Sequence, residues 1–82
     1  MSDERYIRHD FKSCLGHLIE ECGEVLAAAG KTLRWGPYSV NPELAPADRE
    51  SNIVWLQREI IDLEGCIARL RTAIENEEHD KP

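Results

Sequence analysis

The acidic residues of this chain fall into two short motifs, and their spacing is the part of the sequence that could do chemistry. In "LIEECGEVLAAAG", residues 18–30, Glu20, Glu21 and Glu24 interrupt an apolar run, and in "EIID" Glu59 and Asp62 repeat the three-residue step. Acids on an ordinary solvated helix face are balanced by Lys or Arg one turn away. Here Glu21 has His17 and Val25 at its i±4 positions, Glu24 has Glu20 and Ala28, and Glu59 has Trp55 and Leu63; Asp62 alone has a cation, Arg58. The nearest acidic neighbours are like charges, Glu21 with Glu24 and Glu59 with Asp62. Each such pair weakens an isolated helix by roughly 0.2–0.5 kcal/mol, so something else must compensate.

If the two acidic pairs face each other, four carboxylates converge. Two like charges about 4 Å apart repel by about 4 kcal/mol at an effective dielectric near 20, so the group must be protonated or hold a cation. Oxygen-only donors suit a hard ion, Mg²⁺ or Mn²⁺. Mg²⁺ commonly divides its coordination between a few carboxylates, water and substrate phosphates, which makes phosphate chemistry the expectation.

Two helices must position these acids. From about Asp10 to Ala29, Phe11, Cys14, Leu15, Leu18, Cys22, Val25, Leu26 and Ala29 recur every three or four positions, the period of one helix face. Glu21 falls at the edge of that arc, with His17, Glu24 and Ala28 just beyond it. The helix stops either at Gly30 or, after Lys31 to Arg34, at Gly36-Pro37. Gly36, Pro37, Asn41, Pro42 and Pro46 then break regular structure and predict an ordered loop or hinge. A second helix starts between Pro46 and Ser51, with Ser51 a candidate cap, and sets Ile53, Leu56, Ile60, Leu63, Ile67, Leu70 and Ile74 on one stripe. Asn52, Trp55, Glu59, Asp62 and Cys66 form a second stripe beside it. The terminal "ENEEHDKP" has no apolar period and is expected to fray. The expected fold is therefore all-α: two long antiparallel helices joined by a Pro/Gly-rich loop, completing a four-helix bundle by oligomerisation, because one hairpin cannot enclose a core.

The 82 residues make one domain, 1–82 with a core near 10–75. A chain of this size buries only about 60–65% of its unfolded surface, which favours association with further copies. The net charge of −6 argues against binding a nucleic-acid polymer. No apolar run approaches the roughly 20 residues of a membrane span, and Met1 to Asp10 carries no signal-peptide pattern. Cys14, Cys22 and Cys66 form no CxxC pair and leave one thiol over, which fits a reducing cytoplasm better than a disulfide framework. Cys14 and Cys22 read as small buried hydrophobes, and their spacing does not suit zinc.

The acids and their flanks together resemble a known family. "EECGE" followed by "EIID" reads as EExxE…ExxD, and "LIEECGEVLAAAGKTLRWG", a Pro-rich loop and "NIVWLQREIIDL" follow in order. This pattern, over roughly residues 11–70, resembles the MazG-like all-α nucleoside triphosphate pyrophosphohydrolases, in particular the small, often phage-encoded branch with a K-x-x-R-aromatic-G element after the first acidic helix. The resemblance implies metal-dependent cleavage of a (d)NTP to a monophosphate and pyrophosphate, with Glu21, Glu24, Glu59 and Asp62 as metal ligands. Gly23 and Gly65 depart from good helix sequence by about 1 kcal/mol each, and Gly23 is expected to permit close helix contact.

Further candidates surround that set. Glu20 could orient a ligand or activate water, or be a solvated acid. Lys31 and Arg34 offer a point charge and a planar fork for phosphate, against an ordinary surface-cation reading. Trp35 and Trp55 could stack on a base or simply pack. Asn52 could bind phosphate, sugar or base, or cap the second helix, and His17 could support Glu21 from behind. The expected protein is a cytoplasmic, Mg²⁺-dependent nucleotide pyrophosphohydrolase acting as a homodimer or homotetramer. The alternative is a non-catalytic helical interaction protein that keeps the same bundle.

Overall fold

A computed structural model describes residues 10–79; residues 1–9 and 80–82, on which the reading of the polar amino terminus and the end of the fraying tail falls, lie outside the described residues. Helix α1 spans Phe11–Trp35 and helix α2 spans Asn52–His79, with a short 3₁₀ turn at Pro46–Asp48 between them and no strand among the described residues. The two helices pack against each other. Asp10 caps α1 by accepting a hydrogen bond from the Ser13 amide at 2.6 Å. Helix α1 passes Gly30 and ends at Gly36, whose φ of +95° leaves the helical region and whose amide closes on the Thr32 carbonyl at 2.9 Å. At the other end, α2 includes Glu75–His79, with His79 in its last turn.

The α2 amino terminus is assembled from the loop. Ser51 Oγ accepts from the Val54 amide, while the Asn52 and Ile53 amides donate to the Ser39 and Pro37 carbonyls, both at 2.9 Å. Asn52 also donates its side-chain amide to the carbonyls of Lys31 (3.3 Å) and Gly36 (3.0 Å), and Thr32 Oγ1 reaches back to the Asn52 carbonyl. These bonds tie the end of α1 to the start of α2, which makes the pair antiparallel. They also satisfy helix-end groups that would otherwise lack partners.

Facing residues along the hairpin are Cys14, Leu18, Glu21, Val25, Ala28 and Thr32 on α1, and Asn52, Leu56, Glu59, Leu63, Cys66, Leu70 and Ala73 on α2, all buried or half-buried. Steps of four and three alternate in both sets, the 3.5-residue repeat of a coiled-coil seam. Cys14, Leu70 and Ala73, with Leu18 against them, form the buried apolar cluster at the end away from the loop. The expected apolar stripe is only partly used. Leu15, Ile19, Leu26 and Leu33 on α1 and Ile53, Ile60 and Ile74 on α2 are exposed, Leu26 at 72% and Leu33 at 90%. Cys22 is likewise exposed rather than buried, because it belongs to this outer stripe, while Cys14 and Cys66 lie in the seam. Burial pushes the Cys66 thiol up, which keeps it protonated and a poor nucleophile. A radius of gyration of 16.4 Å, against about 12 Å for a compact domain of this length, describes an open hairpin.

Gly23 takes no part in close helix contact: it is exposed, and a Cβ there would meet nothing within 4 Å. Gly23→Ala should therefore stabilise the protein by about 0.5–1 kcal/mol, read as a higher urea midpoint at unchanged m-value.

Candidate metal and phosphate site

Glu59 is the one buried charged residue among those described, 4% exposed in the middle of the seam. Its register places it against α1, where Glu21 occupies a seam position, and Asp62 stands one turn further along α2. One carboxylate oxygen from each of Glu21, Glu59 and Asp62 lies within 4.8 Å of the others. At that separation each ionised pair repels by roughly 3 kcal/mol at an effective dielectric of about 20. Glu59 therefore sits inside the interhelical contact, with Glu21 half-buried beside it and Asp62 exposed at the edge.

Each seam acid has a nitrogen-bearing side chain one turn before it on its own helix. His17 Nε2 is 3.2 Å from Glu21 Oε2, and Trp55 Nε1 donates to Glu59 Oε2 at 3.2 Å. Arg58, which the i,i+4 spacing assigns to Asp62, turns instead to Glu50 at 2.6 Å and Glu59 at 3.3 Å. The Glu50 hydrogen bond, helped by the charges of Glu50, Glu59 and Asp62, raises the guanidinium's already high pKa. Arg58 is exposed, so this pairing orients Glu59 more than it stabilises the fold. Glu21 Oε1 remains buried with no hydrogen-bond partner. A buried carboxylate oxygen without a donor is costly, and a cation is the partner that such an oxygen among acids fits. Three hard oxygen donors match Mg²⁺ or Mn²⁺ and would leave further coordination positions for water and phosphate.

Glu24 is not brought into this group; it is exposed, one turn beyond Glu21. Glu20 is also exposed and lines neither neighbouring cavity. The larger cavity, about 730 Å³, opens between the loop and the helix ends, and Lys31, Trp35, Asn52 and Trp55 are in its wall. That volume lies within the roughly 300–1,000 Å³ usual for small-molecule sites. Arg34 is not in the wall; it lies 5.4 Å from the centre of the Trp35 ring, a cation–π contact. The Asn52 amide donors are committed to Lys31 and Gly36, so this residue builds the wall by fixing its backbone. Trp55 joins the two features, with its ring in the cavity wall and its N–H on Glu59.

No family model matches the chain, and neither does any curated protein or solved structure.

Arg69 escaped the sequence reading, and Arg58 entered it only as the i−4 cation of Asp62. Arg69 lines a second, smaller groove with His17, Glu21, Ile61, Asp62 and Gly65. The available signal was its position seven residues, two helical turns, after Asp62.

The carboxylate repulsion has a measurable consequence. In the presence of chelator, Glu21→Gln should raise stability by about 1 kcal/mol, a fraction of the pairwise repulsion, because it removes one charge from the cluster. Chemical denaturation of both proteins under identical conditions checks this; a destabilised variant would mean that the His17 contact outweighs the repulsion.

Proposed function

We propose that this protein is a metal-dependent nucleoside triphosphate pyrophosphohydrolase, converting a (d)NTP to its monophosphate and pyrophosphate. The observation that carries the reading is the convergence of Glu21, Glu59 and Asp62 across the seam, with a buried Glu21 oxygen lacking a partner, next to a tryptophan-walled cavity. The order of "EECGE", "KTLRWG" and "EIID", similar to the MazG-like pattern, supports the same activity.

In this reading Glu21, Glu59 and Asp62 hold a divalent cation, Mg²⁺ or Mn²⁺. When bound, the ion neutralises polyphosphate charge and lowers the pKa of a water molecule. The chain's own groups do the positioning. Trp55 donates to one oxygen of Glu59, and His17 stands 3.2 Å from one oxygen of Glu21. Trp35 and Trp55 offer ring faces to a base, and Lys31 brings a positive charge to the same wall. Glu24, an implied ligand, stands outside the three-acid cluster and is a weaker candidate than the other three.

A second copy belongs to the proposal. The hairpin exposes 6520 Å², against about 5,000 Å² for a compact monomer of 9.4 kDa. The excess exceeds the roughly 800 Å² per partner of a standard interface, and the outer Leu/Ile stripe supplies its apolar part. Pairing two hairpins through that stripe gives a four-helix bundle with the acids kept in each hairpin's own seam. Cytoplasmic placement is part of the same proposal; no helix among the described residues is long and apolar enough to cross a membrane.

With Mg²⁺ and a panel of NTPs and dNTPs, the protein should release pyrophosphate, and Glu59→Gln or Asp62→Asn should lower kcat at least about 1,000-fold. A folded wild-type protein that cleaves nothing in the panel, and whose melting temperature ignores Mg²⁺ with a non-hydrolysable nucleotide, would instead be the non-catalytic helical interaction protein. Ile19→Lys with Leu26→Lys should convert the assembly to monomer in light scattering; an unchanged mass removes the outer stripe from the interface.

A further inference from the structure

We infer that Arg69 forms a separate subsite for the terminal phosphates and holds the pyrophosphate leaving group, an assignment that rests on the hydrolase reading above. Arg69 is half-buried and lines the small groove that also contains Glu21 and Asp62. The groove, about 250 Å³, has room for a small anion. Other arginines near the site are engaged: Arg58 with Glu50 and Glu59, Arg49 with the carbonyls of Pro42 and Leu44, and Arg34 over Trp35. Arg69 makes no ion pair within 4 Å among the described residues, although acids line the same groove.

Its side chain runs beside Gly65. Arg69 Nη1 passes 3.6 Å from the point a Gly65 Cβ would occupy, so the side chain lies back along α2 toward Asp62. An Ala there would make an ordinary contact, whereas a longer side chain would compete for the guanidinium's place.

Spacing along α2 then orders the substrate. Trp55, Asp62 and Arg69 are seven residues apart, so each step is about 10 Å along the helix at 1.5 Å per residue. The base cavity lies at the Trp55 station and the carboxylates at the Glu59/Asp62 station, while the Arg69 guanidinium, turned back from the third, stands at the level of Gly65, just past the carboxylates in the same groove. A nucleotide with its base at the first station and its α–β bridge at the second carries its β and γ phosphates toward Arg69. In the reaction a water oxygen bonds to the α phosphorus and the bond from that phosphorus to the α–β bridging oxygen breaks. The bond's electron pair leaves on pyrophosphate, and the proton released from water passes to solvent. Charge grows on the leaving group, where the carboxylates cannot stabilise it directly and a planar, permanently charged fork can.

Calorimetric titration of the full chain with pyrophosphate in Mg²⁺, beside titration with nucleoside monophosphates, tests the subsite without turnover. Arg69→Ala should weaken pyrophosphate binding at least about tenfold, leave monophosphate binding unchanged and lower kcat by about 100-fold. Arg69→Lys should recover part of the pyrophosphate affinity by restoring the charge without the fork. Equal pyrophosphate affinity in wild type and Arg69→Ala overturns the subsite, as does an equal loss for monophosphate. A wild type that binds pyrophosphate through Arg69 yet hydrolyses no nucleotide overturns the hydrolase reading and keeps the subsite.

Discussion

The site depends on register, and register is set at the loop end by Asn52. Its side chain bridges two carbonyls at the end of α1, its carbonyl receives Thr32, and its amide binds Ser39. This small polar lock holds the first turn of α2 against the last turn of α1. With the 3.5-residue seam running from it, the position of every later side chain follows. Sliding α2 by one residue would rotate Glu59 and Asp62 by about 100° relative to Glu21 and disperse the cluster. The loop is therefore part of the site even where it contributes no acid.

Holding that register places acids where a coiled coil normally puts leucine. The seam is apolar at the Cys14/Leu70/Ala73 end, acidic in the middle and hydrogen-bonded at the loop end. Much of the large aliphatic surface lies outside, on the face bearing Ile19, Leu26, Leu33 and Ile60. This division resolves a conflict between function and stability. A cation site needs converging carboxylates with restricted solvent, while folding needs apolar burial. One hairpin cannot supply both from a single interface; in the proposed hydrolase the inner seam would hold the cation and the outer stripe would serve association. The Trp55 N–H reduces the cost of burying Glu59 by donating to one of its oxygens.

The helix periods, the breaker-rich connection and the unusual like-charge spacings were legible because each depends on local geometry: 3.6 residues per turn, the restrictions of Gly and Pro, and charge neighbours three or four apart. Glu21, Glu59 and Asp62 could be picked out for that reason. Arg58 could not be placed by the same rule, since spacing paired it with Asp62 and its long side chain found Glu50 across the turn. The outer position of Cys22 and the free space at Gly23 were equally hidden, because a sequence period shows how wide an apolar arc is and not which part of it a partner covers.

By itself, the sequence determined that two amphipathic helices would form, where the chain would turn, and that too many unpaired acids would share a face. Only the tertiary structure decided which stripe became the inner seam. That choice separated Glu24 from the other three acids, buried Glu59, linked Trp55 to it and laid Arg69 along the same groove. The physical reason is that helix formation is a local property of consecutive residues, whereas convergence of side chains from two helices depends on their relative rotation and register. Those are set by contacts between residues distant in the chain, such as Thr32 with the Asn52 carbonyl.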